Sequence, residues 1–197
     1  MDRYAVGASE GEQLPNRLGL TDKDAINSEE AVGFLRAERA AIDALSTDTL
    51  FSLQYLYALH REALGALYDF AGRLRTVNMS KNGFMFVAAG FLPETLATLE
   101  HEYLEPLSTR EWDNESLLLD HLAAMHAELL YVHPFREGNG RVARLFAKLI
   151  FLAKTGNELN FELITKGNNF DRYIGAVQHA ANSNYAPMQQ LFREMCP

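Results

Sequence analysis

Cysteine is nearly absent from this chain: one thiol, Cys196, stands among 197 residues. A single thiol excludes an internal disulfide and a multi-thiolate metal site, which fits a reducing compartment. Long apolar runs are missing too. No stretch reaches the roughly 18 consecutive apolar residues of a membrane-spanning helix, and no N-terminal run resembles a signal peptide. The expectation is a soluble, cytoplasmic protein without a membrane partner. Positive charge is scarce. Lysine and arginine total 18 against 26 aspartate and glutamate, a formal net charge of −8. Nucleic-acid-binding surfaces are usually basic, so no nucleic-acid partner is expected. Repeats and low-complexity tracts are also lacking. What remains is an ordinary globular composition, 48% hydrophobic and 22% charged. Such a chain most simply forms one domain, 1–197, burying about 70% of its unfolded surface without disulfides.

The apolar pattern is mostly helical. Residues 1–26 read as irregular, with LPNRLGL (Leu14 to Leu20) apolar enough to pack on the body. Asn27 and Glu30 have capping-box spacing, which predicts a helix from Asn27 carrying Phe34, Leu35, Ala41, Ile42 and Leu45 on one stripe. A second helix is predicted over Thr49–Tyr68. TVNMSKNGFMFVAAG, Thr76 to Gly90, breaks this pattern. Its Asn82-Gly83 dipeptide is a strong hairpin signal. Pro93 suits the first turn of a helix to about Leu107. Asp113 or Asn114 can cap a long helix that stops at His133, because the residue before Pro134 is pushed out of the α region. A helix resumes after Gly138 and ends at Thr155-Gly156. Two more are predicted, near 168–182 and 187–195. The fold class is mainly α, a helical bundle with one small β-hairpin.

Chemistry concentrates in HPFREGNGRVAR, His133 to Arg144. A helix N-terminus favours anions and disfavours a cation by roughly 0.3–1 kcal/mol. Yet Arg141 and Arg144 fall in the first turns of the helix after Gly138. With Arg136 they form a local positive cluster on an acidic chain, suited to a small polyanion. Gly138, Asn139 and Gly140 can aim successive backbone N–H groups at one spot, an anion nest at a helix start. Arg141 and Arg144 share a helix face and lean back toward it. Glu137 beside a phosphate implies a divalent cation between them; Mg²⁺ is usually held by one or two carboxylates plus phosphate oxygens. His133 titrates near 6.5 when unperturbed and suits a general base. Phe135 is read as an inward anchor of the loop. Taken singly, each residue has a plainer reading: a helix-end histidine, a surface arginine, a carboxylate answering the helix dipole. Their coincidence in so short a stretch favours a site.

This stretch resembles the signature of Fic-domain proteins, H-x-F-x-(D/E)-G-N-G-R-x-x-R, and fills every specified position. Tyr68 to Gly72, YDFAG, also resembles the segment ahead of the hairpin in that family. The resemblance implies a Fic-like helical bundle and protein AMPylation, the transfer of AMP from ATP to a Tyr, Ser or Thr hydroxyl of a target protein. It implies His133 as base and Glu137 as the Mg²⁺ ligand. Gly138, Asn139 and Gly140 become the anion hole, Arg141 a phosphate ligand and Arg144 the γ-phosphate ligand. Tyr173 becomes a candidate for the adenine pocket, from its distance beyond the motif. The hairpin becomes a flap that aligns the target, with Lys81, Gly83, Phe84, Met85 and Phe86 at the docking edge. Backbone pairing of this kind is a general recognition mode. Two readings of the flap aromatics stay open: exposed to the target, or part of the core.

Many Fic proteins carry an inhibitory helix, (S/T)-x-x-x-E-(G/N). Here only Thr98 and Glu102 have that spacing, and Tyr103 follows where Gly or Asn belongs. The expectation is a separate small inhibitory protein, as in a toxin–antitoxin pair. Transfer of UMP or phosphate by the same fold is the competing enzymatic reading. A non-catalytic nucleotide-binding module is the other. His121, His126 and His133 lie along one helix at spacings unlike the HExxH of zinc hydrolases, and read as packing or surface residues.

Overall fold

The computed structural model of the protein describes residues 14–112, 114–164 and 167–196, and only the backbone of residue 168. Helix α1 spans Lys23–Asp43, with the Asp22 carboxylate accepting from the Ala25 N–H at 2.7 Å. The expected start at Asn27 is thus one turn late. Asp22 wins the cap because its side chain sits before the first helical residue, whereas Glu30 is buried at 5% exposure and faces inward. Helix α2 spans Leu53–Leu64 and is capped by Ser52, shorter than predicted.

The hairpin is two short antiparallel strands, β1 (Ser80–Lys81) and β2 (Phe84–Met85), with Ser80 opposite Met85 and Lys81 opposite Phe84. Asn82 and Gly83 both have positive φ, 51° and 80°. That is the backbone a two-residue hairpin turn requires. After it come α3 (Leu92–Leu99), a π-helical turn (Glu100–Leu104) and α4 (Glu105–Thr109). Thr98 and Glu102 are exposed on this stretch.

Helix α5 spans Glu115–Val132 and starts from an Asn114 cap; Asp113, the other expected cap, lies outside the described residues. It is apolar on nearly every side, the mark of a central helix. It packs against α6 (Asn139–Thr155), α7 (Asn168–Ala180) and α8 (Ala186–Met195), while α1 packs on α2 and α6. One apolar cluster runs through these helices from Leu14 to Met195. The LPNRLGL segment is tied down there. Leu14 is buried, the Arg17 N–H donates to the Leu67 carbonyl at 2.8 Å, and the Arg17 guanidinium donates to Gly65 O at 2.8 Å. Residues 1–13 of the predicted irregular segment lie outside the described residues. No helix among those described is long and apolar enough to cross a membrane.

Candidate functional site

The turn between α5 and α6 is built by two departures from ordinary backbone. Pro134 bars His133 from the right-handed helical region. His133 enters the left-handed region, φ 52° and ψ 59°, not the extended conformation usual before proline. Gly138 also has positive φ, 76°, and caps α6 without a side-chain bond. A Cβ there would lie 2.8 Å from Leu64 Cδ1 and 3.3 Å from Phe34 Cζ, so any larger residue must displace a neighbour as well as adopt the left-handed backbone.

Between these corners the loop is pinned from inside. Phe135 is fully buried, stacked on His60 at 3.9 Å between ring centroids and edge-on to Tyr57 at 6.0 Å. The Asn139 side chain closes on Phe135: its Oδ1 accepts from the Phe135 N–H at 2.8 Å and its Nδ2 donates to the Phe135 carbonyl at 2.7 Å. The Asn139 side chain is therefore spent on the shape of the loop. The first N–H groups of α6 have no acceptor within the helix, and they crown the loop.

His133 is oriented by two neighbours. Its Nδ1 donates to the Leu130 carbonyl at 3.1 Å, which leaves Nε2 as the basic nitrogen. Its ring stacks on Phe86 from the hairpin, 3.8 Å between centroids. Burial first, then the charges of Arg75 and Lys81, push its pKa down to about 3, so the imidazole is neutral at pH 7. Phe86 is buried, Phe84 is half-buried against Tyr131, and Met85 is 52% exposed. Of the five hairpin residues expected at the docking edge, Phe86 stacks on His133.

Arg75 was not singled out in the sequence, and it organises the same corner. It is buried, and its guanidinium donates to a set of backbone carbonyls. Nε donates to His133 O at 2.7 Å, Nη1 to Val77 O at 2.7 Å, and Nη2 to Val132 O at 3.2 Å and, more closely, to Val87 O. One side chain thus ties the base of the hairpin to the end of α5. The only clue in the sequence was an arginine just ahead of a hairpin signal.

His60 is a second residue that sequence reading missed. Its Nδ1 accepts from the Gly72 N–H at 2.8 Å. Nε2 therefore carries the proton and donates to the Glu137 carbonyl at 2.9 Å. Burial is the main cause that lowers its pKa, to about 4. The Glu137 side chain is 9% exposed by residue and receives the Gly138 N–H at 3.0 Å.

Arg141 and Arg144 both line a cavity of about 730 Å³ between α1, α6 and the 158–162 segment. Arg141 is held by Glu30, Nη2 to Oε2 at 2.5 Å, and lies over the Phe34 ring. The other Glu30 oxygen accepts from the Tyr68 hydroxyl at 2.6 Å. Glu30, read from the sequence as the second member of a capping box with Asn27, is thus the buried partner of the first motif arginine. Arg144 folds back toward the helix start, its Nη1 3.1 Å from where a Cβ on Gly140 would stand. Tyr173 is 2% exposed and bonded to His126 at 2.8 Å, in the core. The residue expected as a candidate for the adenine pocket is thus a buried side chain of α7. His121 donates instead to the Tyr103 carbonyl at 2.8 Å. Among the described residues no three His, Cys, Asp or Glu side chains are grouped to hold a metal.

The geometry can be set beside known proteins. The Fic/DOC family profile matches residues 50–151, just over half of the chain. A protein adenylyltransferase of Bartonella henselae is 31% identical over 167 residues, covering 74% of this chain and 28% of its own length. A probable protein adenylyltransferase, y4lH of Sinorhizobium fredii, is 24% identical over 182 residues, covering 92% of this chain and 90% of its own. The chain therefore spans under a third of the first relative and most of the second. The crystal structure of BepC from Bartonella tribocorum with bound AMPPNP has the same fold, with a TM-score of 0.79 at 21% identity over 100% of this chain and 98% of that one.

Proposed function

The chain belongs to the Fic/DOC family, and from that premise we propose that it is a protein adenylyltransferase, one Fic domain moving AMP from ATP to a hydroxyl side chain of a target protein. The observation that carries this reading is the setting of His133. A neutral imidazole, with Nδ1 spent on Leu130, sits on the same loop as the N–H groups that open α6 and the two arginines behind them.

In this reading Nε2 of His133 takes the proton of a target Tyr, Ser or Thr hydroxyl as that oxygen attacks the α-phosphorus. The new O–P bond forms as the α–β bridging P–O bond breaks, and pyrophosphate leaves. The backbone N–H groups of Asn139 and Gly140 face the phosphates, and that of Gly138, which donates to the Glu137 carboxylate, would join them if that carboxylate turned to a metal. Arg141 contacts them, and Arg144 takes the γ-phosphate. AMPPNP in the structurally similar BepC supports a nucleotide triphosphate as the ligand class. Glu137, at the lip of the nest, fits a role as the protein ligand of Mg²⁺, which needs one carboxylate plus phosphate oxygens. When bound, that ion would offset phosphate charge beside the carboxylate.

The hairpin is the target-docking flap, with Lys81, Gly83, Phe84 and Met85 at the edge offered to an extended target segment. Phe86 and Arg75 connect that edge to the base. We read restraint of the activity as the work of a separate small antitoxin-like protein, tested by whether one copurifies with the native chain and suppresses transfer.

The decisive experiment is His133→Ala against wild type, with labelled ATP and a cell lysate. Transfer should fall at least ~10²–10³-fold while ATP affinity is largely kept. Undiminished transfer would remove His133 as the base. The mass added to the target separates AMP from UMP or phosphate. Nucleotide binding with no transfer by either protein would favour a non-catalytic module.

A further inference from the structure

His133 holds a backbone conformation that its place in the sequence opposes. Its φ of 52° lies in the left-handed region, whereas the following Pro134 favours extended backbone at that residue. Such a conformation persists only where surrounding groups fix it. Arg75 grips the turn twice. Its main-chain N–H donates to the Pro134 carbonyl at 2.9 Å, and its Nε donates to the His133 carbonyl at 2.7 Å. Two consecutive carbonyls of the turn thus point at one residue. The rest of the guanidinium reaches Val132 on α5 and both stems of the hairpin, Val77 before it and Val87 after it. The Val87 N–H closes the frame by donating to the Tyr131 carbonyl at 3.4 Å. From that stem Phe86 lays its ring on the His133 imidazole, 14° from parallel, while the Leu130 carbonyl accepts from Nδ1. Backbone, ring plane and proton of one histidine are therefore fixed by three different contacts. Two of the three come from residues 75–87 and not from α5.

We infer that Arg75 and Phe86 are positioning residues for His133: they hold its left-handed backbone and its ring plane, so that the imidazole keeps one tautomer and one direction on the loop. This rests on the reading of His133 as the base. These contacts are made to the His133 end of the loop, not to the α6 residues read as holding nucleotide. Their loss should therefore appear in the transfer step and not in nucleotide affinity. The hairpin thus supports the base as well as offering an edge to the target.

The test compares wild type, Arg75→Met and Phe86→Leu in three measurements. These are the ¹⁵N imidazole spectrum of histidine-labelled protein, AMPPNP affinity with Mg²⁺ by calorimetry, and transfer from labelled ATP in a cell lysate. The His133 signals are those absent from His133→Ala. In wild type they should show a single Nδ1–H tautomer, and in both variants exchange between tautomers. Transfer should fall about tenfold to a hundredfold, the scale of an ångström-sized misplacement, with AMPPNP affinity kept within about twofold. Met85→Ser, on the exposed side of the same hairpin, should leave the imidazole spectrum as in wild type. An unchanged His133 tautomer in either variant overturns the role of that residue. A loss of transfer matched by an equal loss of AMPPNP affinity overturns both, since it reports a loosened loop. If Arg75→Met does not fold, Phe86→Leu decides alone, because leucine fills the space without supplying a flat ring. If wild type transfers nothing, the adenylyltransferase reading falls, and the imidazole spectra still decide the positioning.

Discussion

Replacing Gly138 with alanine probes the loop at its narrowest point. Two separate costs are expected. The φ of 76° places a non-glycine residue in the left-handed region, about 1–2 kcal/mol. The new methyl would stand 2.8 Å from Leu64 Cδ1, and Leu64 is fully buried in the core, so relief requires repacking, about 1–3 kcal/mol. The total is roughly 2–5 kcal/mol, or a fall in melting temperature of about 5–15 °C for a chain of this size. Two other glycines separate the terms. Gly83 has φ 80° with open space around it, so Gly83→Ala should show the backbone cost alone. Gly90 has neither feature, and Gly90→Ala should be neutral or slightly stabilising. Thermal and urea unfolding of the three variants should rank them 138, 83, 90. A Gly138→Ala protein within one or two degrees of wild type would refute the close approach of this loop to α1 and α2.

Three other outcomes follow from the same contacts. Arg75→Met removes a cation caged by carbonyls from the end of α5 and both sides of the hairpin. Amide hydrogen exchange at Phe86 and Val87 should accelerate at least tenfold, measured by mass spectrometry, with little change in α7. Glu30→Ala should cost about 2–4 kcal/mol, less than a fully buried pair because Arg141 is 30% exposed, and Glu30→Gln should cost less than half of that in urea titrations. Acid should destabilise the fold through His60 and His126. Their imidazoles take protons near pH 6.5 when unfolded but only near 4 and 3 when folded, so the unfolded chain binds more protons between those values. Stability is complete above pH 6.5 and is lost as pH falls, each group adding up to about 1.4 kcal/mol per pH unit. His126→Gln should make the loss shallower.

Much of the architecture was legible because it depends on local chemistry. Asn82-Gly83 specified the hairpin, Pro134 the end of α5, and Gly156 the end of α6. The motif was readable because its parts lie on one loop and the next two helical turns, where spacing alone decides who faces whom. The start of α1 was misread because Asn27 and Glu30 satisfy a local capping pattern. The burial of Glu30 is decided by α6, more than a hundred residues away in sequence.

The sequence by itself determined a helical bundle with a hairpin, a glycine-bounded turn at the head of α6, and membership of the Fic/DOC family. Its reach ended where partners come from distant segments. Only the folded chain pairs Arg141 with Glu30, seats Glu137 on His60, ties the hairpin to His133 through Arg75, and sets the Tyr173 hydroxyl on His126 in the core. The reason is physical: capping, turn formation and helical facing act over a few residues, whereas burial of a charge or an imidazole is settled by whichever remote groups close over it.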